Sequence, residues 1–459
     1  MAFFIVTPYN RERGENVKAI LVGVEYDHMY YDLHISMEEL KELARACQIE
    51  VKDVMIQRLS QISPKYYIGK GKVQELKDML TDDDMVIFNE ELSPMQIKNL
   101  TDELDVEVSD RSDLILRIFE SRAQTKEAKL QVEIARNQYL LPRLAGMKEE
   151  LYSQQGGSGF RGSGEKQIEL DRRVIHRQLV QARRELQSIV KQRQTQRQLR
   201  KRNQQKVVCL VGYTNSGKSS LLNYFTDKKV FQEDMLFASL QTASRKVTLK
   251  GHKEIIMSDT VGFINQLPHH LVQAFRSTLE EVKEADLFLH VVDTSFEDYQ
   301  MQVETTNEVL KSLGVENTPV IYVYNKVDKD RYAFLKPHQP YVFVSVKEQI
   351  NLDKLEELMI ETLFKDYELI ELYIPYDHGE IFQQIQQTYE FIKEEYLETG
   401  IYISFFIDMK QKHKYQQYIY HLENDQFFLQ FLYIKHQHVK VFLLYEVKIF
   451  LQAHQADCF

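Results

Sequence analysis

The amino-acid sequence predicts a multidomain α/β protein whose sheets are mostly parallel and flanked by helices. Short apolar runs alternate with amphipathic helical patterns over residues 17–125, and the same alternation returns over residues 206–366. This alternation is typical of βαβ units, in which a helix connects two parallel strands. The chain of 459 residues is also too long for a single hydrophobic core, so we expect several domains.

The composition favours a folded protein of the cytoplasm. Hydrophobic residues make up 43% of the chain, which is enough for sizeable cores. Cys47, Cys209 and Cys458 are scattered and show neither the spacing of a zinc site nor that of a disulfide framework. The sequence shows no signal-peptide pattern and no apolar run long enough to span a bilayer. We therefore expect a cytoplasmic location.

Residues 1–125 are predicted to form an N-terminal α/β domain. "VKAILVGVE" and "MVIFNEEL" have the apolar runs of strands, and "SPMQIKNLTDEL" has the pattern of a capped helix. In "SMEELKELARAC", Ser36 is expected to cap the helix. "GKGK", Gly69–Lys72, is predicted to open another helix. Its amides and lysines suit a phosphate group, and a glycine turn with solvated lysines explains the motif equally well.

Residues 126–205 are predicted to form an antiparallel helical hairpin. A helical pattern begins at residue 126 and is expected to end at Pro142. The glycine-rich stretch "SQQGGSGFRGSGEKQ", Ser153–Gln167, would form the tip. A long second helix follows, with apolar residues at helical spacing: Leu170, Val174, Ala182, Leu186 and Ile189.

The second helix of the hairpin is strongly basic within an acidic chain. Residues 170–206 contain twelve Lys or Arg against Asp171 and Glu185, a charge of +10. Because the net charge is −10, the remainder carries −20. A basic stretch on an acidic body predicts a polyanionic partner that meets one face only. The alternative is a solvated helix face without a partner.

The segment 206–366 carries the motif with the most specific chemistry. "GYTNSGKSS", Gly212–Ser220, fits GxxxxGK[ST] and follows the apolar run "KVVCLV", which is the context that a phosphate-binding loop requires. Lys218 is placed to reach the β- and γ-phosphates of a nucleotide, and the Ser219 hydroxyl to bind Mg²⁺. Taken alone, the match leaves open an ordinary glycine turn between a strand and a helix.

Three further motifs follow in the order that a GTP site requires. Asp259 and Gly262 form DxxG, in which the carboxylate would hold Mg²⁺ through water and the glycine N–H would contact the γ-phosphate. "NKVD", Asn325–Asp328, ends an apolar run, and its aspartate would accept two hydrogen bonds from guanine that adenine does not offer. "VSVK", Val344–Lys347, would present a backbone N–H to the guanine oxygen. The four motifs together predict a GTP-binding domain.

The residue after DxxG raises a question about hydrolysis. Many GTPases have a glutamine there that orients the attacking water. This chain has Phe263, whose side chain neither donates nor accepts a hydrogen bond. The nearby His269 and His270 are better explained as surface or capping residues than as a general base.

With these motifs, the chain closely resembles the HflX family of translational GTPases over about residues 17–422. The resemblance rests on the glycine loop and on "YIGKGKVQELK", "VIFNEELSPMQIKNL", "SDRSDLILRIFESRAQTKEAKLQVEIA", "LPRLAGM", "VGYTNSGKSSLLN" and "DTVGFINQLPHHLVQAFRSTLEEV". The implied fold is an N-terminal α/β domain, a helical hairpin, a P-loop GTPase G domain with a mixed, mostly parallel sheet, and a small C-terminal α/β domain. The implied boundaries are 1–125, 126–205, 206–366 and 367–422, followed by a tail, 423–459, without a recognised counterpart in the family.

The resemblance implies a monomeric GTPase that binds the large ribosomal subunit and dissociates stalled or idle ribosomes. Hydrolysis would be slow alone and stimulated by the ribosome. The basic hairpin suits a groove lined by rRNA phosphates, and its tip suits unpaired bases. The residues expected to contact RNA are Phe160, Arg161, Lys166, Arg172, Arg173, Arg183 and Arg184.

The implied nucleotide site takes GTP or GDP together with Mg²⁺. Lys218, Ser239 and Gly262 are the expected catalytic groups, and Ser219, Ser239 and Asp259 are the expected metal ligands. The residues expected to contact the nucleotide are Gly212, Tyr213, Thr214, Asn215, Ser216, Gly217, Lys218, Ser219, Ser220, Phe237, Asp259, Thr260, Val261, Gly262, Asn325, Lys326, Asp328, Ser345, Val346 and Lys347.

Two residues and the switch segment affect the expected rate of GTP hydrolysis. The family has an apolar residue after DxxG, so Phe263 follows its pattern and implies that other groups position the water. Asn215 resembles the residue of GTPases that recruit K⁺ beside the phosphates, and bracing of the loop is the alternative. The switch "FASLQTASR", Phe237–Arg245, departs from the family pattern FATLDPTTR. Ser239 replaces a Mg²⁺-liganding threonine, and the changes at Gln241–Ser244 imply weaker closure over the γ-phosphate.

Three alternative functions stay open at this stage. A GTP-gated assembly or RNA-binding factor would bind precursor particles and leave intact ribosomes whole. An ATP-dependent RNA remodeller that uses the N-terminal domain would retain ATP turnover after Asp328→Ala. A divergent paralogue with little activity would bind GTP without ribosome-stimulated hydrolysis.

Overall fold

The computed structural model describes most of the chain between residues 17 and 420. The described residues are 17–27, 29, 31–153, 161–202, 205–226, 237, 243–250, 253–260, 262–264, 282–315, 317–329, 336–389 and 391–420, without the side chains of residues 145–153, 161–168, 193–202 and 243. The chain forms two compact units, Met1–Leu363 and Phe364–Phe459. The first unit contains two of the three described sheets.

A four-stranded parallel sheet forms the first core of this unit. Its strands lie in the order β2-β1-β3-β4, and every neighbouring pair is parallel. β3 is buried throughout and β1 over most of its length, as expected for central strands covered by helices on both faces, which explains their continuous apolar sequences. The strands are β1 Lys18–Tyr26, β2 Glu50–Leu59, β3 Asp84–Phe88 and β4 Glu107–Asp110.

Four helices accompany this sheet, and their caps test the sequence prediction. The prediction that Ser36 caps the first helix was wrong, because the helix begins one turn earlier. The Asp32 carboxylate accepts hydrogen bonds from the amides of the first turn, and the buried Ser36 hydroxyl donates to Asn89 instead. Ser93 caps the third helix in a capping box, as predicted. The helices are α1 Leu33–Ala46, α2 Lys70–Met79, α3 Pro94–Leu104 and α4 Arg111–Arg122.

Two long helices, α5 Lys126–Ser153 and α6 Arg161–Arg202, form the predicted hairpin, but the predicted tip Ser153–Gln167 was too long at its end, since α6 already begins at Arg161. Lys126 at the start of α5 pairs with Glu185 in the second half of α6 at 2.9 Å, so the helices run antiparallel. The prediction that Pro142 ends the first helix was wrong, since α5 continues to Ser153. A helix of this length keeps enough other backbone hydrogen bonds and packing to tolerate the one that proline removes. No helix in the described part of the chain is long and apolar enough to cross a membrane.

Buried carboxylates at the junction of β4 and α4 anchor α5 to the N-terminal sheet. Asp110 accepts hydrogen bonds from Arg143 at 2.8 Å and from Tyr139 at 3.0 Å, and Asp113 pairs with Arg136. Burial raises the pKa of Asp110 to about 6. Burial acts in the same direction on Asp113, but neighbouring arginines outweigh it and lower its pKa to about 2. The middle of the first hairpin helix is therefore held on the N-terminal core by buried hydrogen bonds and ion pairs.

A six-stranded sheet forms the second core of the first unit. Its order is β10-β9-β8-β5-β7-β6, and all neighbours are parallel except the edge strand β6. The carboxyl ends of the parallel strands share one edge, where ligands bind in sheets of this class. The elements are β5 Lys206–Gly212, α7 Lys218–Tyr224, β6 Ala243–Leu249, β7 Lys253–Asp259, β8 Leu287–Asp293, α8 Tyr299–Ser312, β9 Val320–Asn325, β10 Tyr341–Phe343 and α9 Leu352–Leu363.

The second unit contains a three-stranded antiparallel sheet in the order β11-β13-β12. The apolar stretches "LIELYIP" and "IYISFFI" lie in β11, Tyr367–Pro375, and in β13, Gly400–Asp408. Phe382 and Ile385 of α10 belong to the same apolar cluster as the buried residues of these two strands. The elements are β11 Tyr367–Pro375, α10 Gly379–Thr388, β12 Lys393–Tyr396, β13 Gly400–Asp408 and α11 Met409–Lys412. The tail, residues 423–459, lies outside the described residues.

Candidate functional site

The loop between β5 and α7 depends on two glycines. Gly212 has a φ of +143°, and a Cβ atom there would lie 2.3 Å from the carbonyl oxygen of Val291. Gly217 has a φ of +101°, and a Cβ atom there would lie 2.2 Å from Nδ2 of Asn325. Both conformations and both distances exclude a larger residue. The glycines therefore let this loop pass close to β8 and β9.

The same loop encloses polar groups that suit a phosphate ligand. Thr214 and Ser216 are buried, and their hydroxyl oxygens have no hydrogen-bond partner among the described residues. Buried hydroxyls are normally hydrogen-bonded in folded proteins. Phosphate oxygens would accept hydrogen bonds from both hydroxyls, so the residues present fit a phosphate group.

Lys218, the first residue of α7, directs its ammonium group into the loop. Its Nζ donates to the carbonyl oxygens of Gly212 at 3.0 Å and Tyr213 at 2.6 Å. Burial lowers the pKa of Lys218 to about 8, and the nearby Asp259 carboxylate opposes this shift. An anion bound in the loop would stabilise the charged ammonium further, which is the electrostatic requirement for holding a phosphate.

Ser219 and Asp259 provide a pair of oxygen ligands beside Lys218. The Ser219 hydroxyl donates to Oδ2 of Asp259 at 2.6 Å. Thr260, the next residue, donates through its hydroxyl to the Leu210 carbonyl at 2.7 Å, and this fixes the end of β7 beside β5. Mg²⁺ prefers oxygen ligands and is usually held by one or two protein oxygens together with substrate phosphates. The pair fits such an ion.

Phe263 places its side chain in the hydrophobic core of the second sheet. Its backbone N–H donates to Gly212 O at 3.1 Å, and its carbonyl accepts from Thr214 N at 2.7 Å. A Cβ atom on the preceding Gly262 would lie 2.8 Å from Thr214 Cα, so the two segments touch. The residue that stands in place of glutamine thus joins DxxG to the phosphate loop through its backbone. The ring lies in one cluster with Cys209, Val211, Val282 and Phe288.

Asn325 and Asp328 organise the side of the site predicted to bind guanine. Asn325 donates to Ser216 O at 2.9 Å and accepts from Val346 N at 3.2 Å. The exposed Asp328 carboxylate accepts a hydrogen bond from the Ser345 hydroxyl at 2.5 Å, which holds the pKa of Asp328 below its ordinary value. A charged, oriented carboxylate that is open to solvent matches the two adjacent donors of guanine.

Three family models match the chain in sequence order. The model described as GTP-binding GTPase N-terminal matches residues 34–120, GTP-binding GTPase Middle Region matches 122–200, and 50S ribosome-binding GTPase matches 207–326. GTPase HflX of Caldanaerobacter subterraneus is 42% identical over 386 residues, which cover 84% of this chain and 90% of the relative. The chain belongs to the HflX family of GTPases.

Two further GTPases of the HflX family match the chain to a similar extent. GTPase HflX of Lacrimispora saccharolytica is 41% identical over 81% of this chain and 89% of its own, and that of Escherichia coli is 36% identical over 81% and 90%. A crystal structure of a GTP-binding protein from Sulfolobus solfataricus in complex with GDP is 25% identical, with a TM-score of 0.41, over 76% of this chain and 99% of that chain. As a member of the HflX family, the protein binds GTP and hydrolyses it.

Three residues of this HflX-family site were not identified from the sequence. Asp293 at the end of β8 pairs with Lys326 at 2.7 Å, and Thr294 donates to the Asn325 carbonyl at 2.8 Å. Their position directly after the apolar run "LFLHVV" was a signal for both. Glu39 of α1 accepts a hydrogen bond from the Tyr213 hydroxyl at 2.5 Å. No local signal marked Glu39, because 174 residues separate it from its partner.

The other residues predicted to contact the nucleotide differ in their burial, backbone conformation and neighbours. The ring of Phe237 is buried edge-on against Phe119, with centroids 4.7 Å apart, so its side chain is not available to a ligand. Asn215 has a φ of +60°, a left-handed conformation that asparagine tolerates well and that fits the alternative of a residue that braces the loop. Ser220 lies half-buried in α7, and Lys347 is exposed beside Glu348.

Several predicted residues lie outside the described part of the chain. They are Ser239, Val261, His269, His270 and Phe160, together with the side chains of Arg161 and Lys166. The remaining residues predicted to contact RNA are described, and all are exposed on α6: Arg172, Arg173, Arg183 and Arg184.

Proposed function

We propose that this GTPase associates with the large ribosomal subunit and dissociates stalled or idle ribosomes. The observation that carries the proposal is the exposed arginine face of α6, a helix of 42 residues in the same compact unit as the nucleotide site. At about 1.5 Å per residue, such a helix extends roughly 63 Å. The description of the matched G-domain model, 50S ribosome-binding GTPase, supports the same partner.

The two faces of α6 differ in the way that an RNA-binding helix requires. Ile175, Leu179 and Ala182 are buried, with exposures of 6%, 5% and 2%. By helical periodicity, Arg173 and Arg184 fall on the opposite side and Arg172 and Arg183 fall between the two sides; all four are exposed to solvent. Each rRNA phosphate that an arginine neutralises releases counterions, so binding by this face would be strong at low salt and would weaken as salt rises.

The phosphate side of the site would act mainly by positioning and by charge. Lys218 would hold the β- and γ-phosphates, Ser219, Ser239 and Asp259 would hold Mg²⁺, and the Gly262 N–H would contact the γ-phosphate. Mg²⁺ would neutralise negative charge on the phosphate oxygens when bound. The buried ring of Phe263 supplies no group to orient water. That arrangement supports slow turnover of the protein alone, and we propose that the ribosome completes the positioning of the water.

The base side of the site would select guanine. Asp328 would accept hydrogen bonds from the N1–H and 2-amino groups, while Asn325 and Lys326 fix the loop in place. A backbone N–H of the Ser345–Lys347 segment would donate to the guanine oxygen. Adenine would leave the Asp328 carboxylate without its two donors, which is the basis of discrimination.

The proposal also places a K⁺ ion beside Asn215 in the phosphate loop. The GTP hydrolysis rate, measured after K⁺ in the buffer is replaced with Na⁺, tests this part.

The decisive experiment measures GTP hydrolysis in K⁺ buffer with and without purified large ribosomal subunits. We expect a rise of tenfold or more, equivalent to about 1.4 kcal/mol of barrier. A parallel sedimentation assay should show that intact ribosomes separate into subunits. Stimulated hydrolysis with intact ribosomes left whole would favour an assembly factor. Tight GTP binding without stimulation would indicate a low-activity paralogue, and ATP turnover that survives Asp328→Ala would indicate an RNA remodeller.

A pair of charge variants tests the α6 surface directly. Replacing Arg183 and Arg184 with glutamine should weaken binding to large subunits and reduce the slope of log affinity against log salt by about one to two units. The matched control replaces Arg45 and Arg58, which are exposed on the N-terminal part, and removes the same charge. Equal losses in the two variants would show that overall charge, and not the α6 face, governs association.

A further inference from the structure

Three segments of the nucleotide site each place one apolar side chain in the core of the N-terminal part. Tyr213 comes from the phosphate loop, Phe237 from the switch, and Ile264 from the segment after DxxG. Their exposures are 4%, 2% and 1%, and all three belong to the cluster that includes Leu21, Leu116 and Phe119. The segments that contact phosphate are thus packed against a second domain as well as against their own sheet.

A polar contact accompanies this packing. The Tyr213 hydroxyl donates to Oε1 of Glu39 at 2.5 Å, and Oε2 of Glu39 pairs with Arg111. Arg111 is buried at the start of α4, where it also donates to Oδ1 of Asn89 at 3.1 Å and to the carbonyl oxygen of Ser36 at 3.3 Å. The Glu39 carboxylate is therefore fixed by a residue that is itself fixed at the carboxyl end of the N-terminal sheet.

The backbone of Tyr213 connects its side chain to the phosphate site. Its carbonyl oxygen accepts the shorter of the two hydrogen bonds from Lys218 Nζ, at 2.6 Å. The next residue, Thr214, donates through its N–H to Phe263. A displacement of the tyrosine ring would move the peptide that holds Lys218 and the contact with DxxG, because a phenol ring is rigid and this one is buried.

We propose that Glu39 is a positioning residue of the GTP site. Through the Tyr213 hydroxyl, it sets the conformation of the phosphate loop, so nucleotide affinity depends on the contact between the N-terminal part and the G domain. Because coupling between two binding events is reciprocal, nucleotide exchange changes the strength of that contact by the same factor. The proposal concerns GTP binding by the chain itself and does not depend on association with the ribosome.

The test compares Tyr213→Phe, Glu39→Gln and the double variant in the full-length protein. Each single change should weaken GTP binding roughly 10- to 150-fold, the range expected for one hydrogen bond to a charged group. The double variant should be no weaker than the weaker single variant, because Tyr213→Phe removes the hydrogen bond through which Glu39 reaches the loop, and Glu39→Gln weakens that bond together with the Glu39–Arg111 pair. Glu38→Gln and Tyr224→Phe are the matched controls, since both residues are exposed, and they should stay within about twofold of the native protein.

A second readout separates positioning from general stability. Amide hydrogen exchange in α1, residues 33–46, should differ between the GDP complex and the complex with a non-hydrolysable GTP analogue. In Tyr213→Phe, this difference should disappear while the melting temperature stays within a few degrees of the native value. Additive losses in the double variant, or native affinity in both single variants, would overturn the proposal. If Glu39→Gln does not fold, Tyr213→Phe and its exchange pattern decide the question.

Discussion

The amide of Asn325 hydrogen-bonds to both halves of the GTP site. Its Nδ2 donates to the Ser216 carbonyl in the phosphate loop at 2.9 Å, and its Oδ1 accepts from Val346 N in the loop after β10 at 3.2 Å. The side chain is 3% exposed, so water competes weakly for either bond. One residue at the end of β9 therefore fixes the separation between the phosphate loop and the segment predicted to bind guanine.

Replacing Asn325 with aspartate should weaken both GTP and GDP binding, by roughly 10- to 100-fold. The variant keeps the size of the side chain and the acceptor for Val346, but it places a carboxylate against the Ser216 carbonyl. Calorimetric titration with each nucleotide measures the effect. Asn351→Asp is the control, since Asn351 donates to the Phe343 carbonyl in the same domain. Equal losses in the two variants would contradict a specific role for Asn325.

Replacing Asp328 with asparagine should change base preference and leave the fold intact. Asp328 is exposed, and its contact with Ser345 survives in the amide. The amide presents a donor where the carboxylate presented an acceptor, so xanthine, with an oxygen in place of the 2-amino group, becomes the better partner. We expect GTP affinity to fall by at least about 100-fold and XTP affinity to rise, as judged by competition with a fluorescent nucleotide. Unchanged preference would exclude Asp328 from base recognition.

Introducing glutamine at Phe263 should destabilise the protein without accelerating hydrolysis. The ring is 3% exposed among apolar neighbours, so the variant buries an amide and removes aromatic contacts. We expect a loss of about 2–4 kcal/mol in the free energy of unfolding, measured with urea. Phe263→Leu keeps an apolar side chain and should lose less. A faster GTPase rate in the glutamine variant would show that this side chain does reach the attacking water.

His290 should make the stability of the protein fall at mildly acidic pH. Burial in β8, with the charge of Lys218 nearby, lowers the pKa of His290 from 6.5 to about 3. Below pH 6.5 the unfolded chain binds a proton at this residue that the folded protein does not bind. Stability from this group is therefore present above pH 6.5 and is lost as the pH falls towards 3.

Between pH 7.5 and 5.5 this contribution amounts to about 1.4 kcal/mol. Urea unfolding at both pH values, on the native protein and on His290→Phe, isolates it, because this residue is the titratable group in which the two proteins differ. The variant should lose less stability on acidification by that amount. The exposed His176→Asn serves as the control and should behave like the native protein. Identical pH dependence in His290→Phe and the native protein would contradict the prediction.

The sequence predicted the central strands and the phosphate-binding loop because their signals are local. β1, β3, β5, β7, β8 and β9 are continuous apolar runs, as buried parallel strands must be. The strands that the sequence did not reveal are at sheet edges or short. β2 alternates with exposed residues, and β4, Glu107–Asp110, has four residues. Their pairing is decided by the neighbouring strand and not by their own apolar pattern.

The errors at helix ends have a similar cause. Ser36 and Asp32 are both good capping residues, and only the position of Asn89, which bonds Ser36, shows which one starts α1. Pro142 ordinarily interrupts a helix, but the adjacent turn is held by Tyr139 and Arg143 on the buried Asp110. In both cases, a tertiary contact outweighs a local preference of about 1–3 kcal/mol.

By itself, the sequence determined the GTP-binding chemistry of this protein. Glycine at positive φ, a lysine, hydroxyls and carboxylates at fixed spacing act through backbone geometry that a few neighbouring residues specify. Only the tertiary structure decided that Phe263 is a core residue and that Tyr213 meets Glu39 across 174 residues of chain. Such contacts depend on how two hydrophobic cores pack together, and packing between distant segments leaves no periodic trace in either of them.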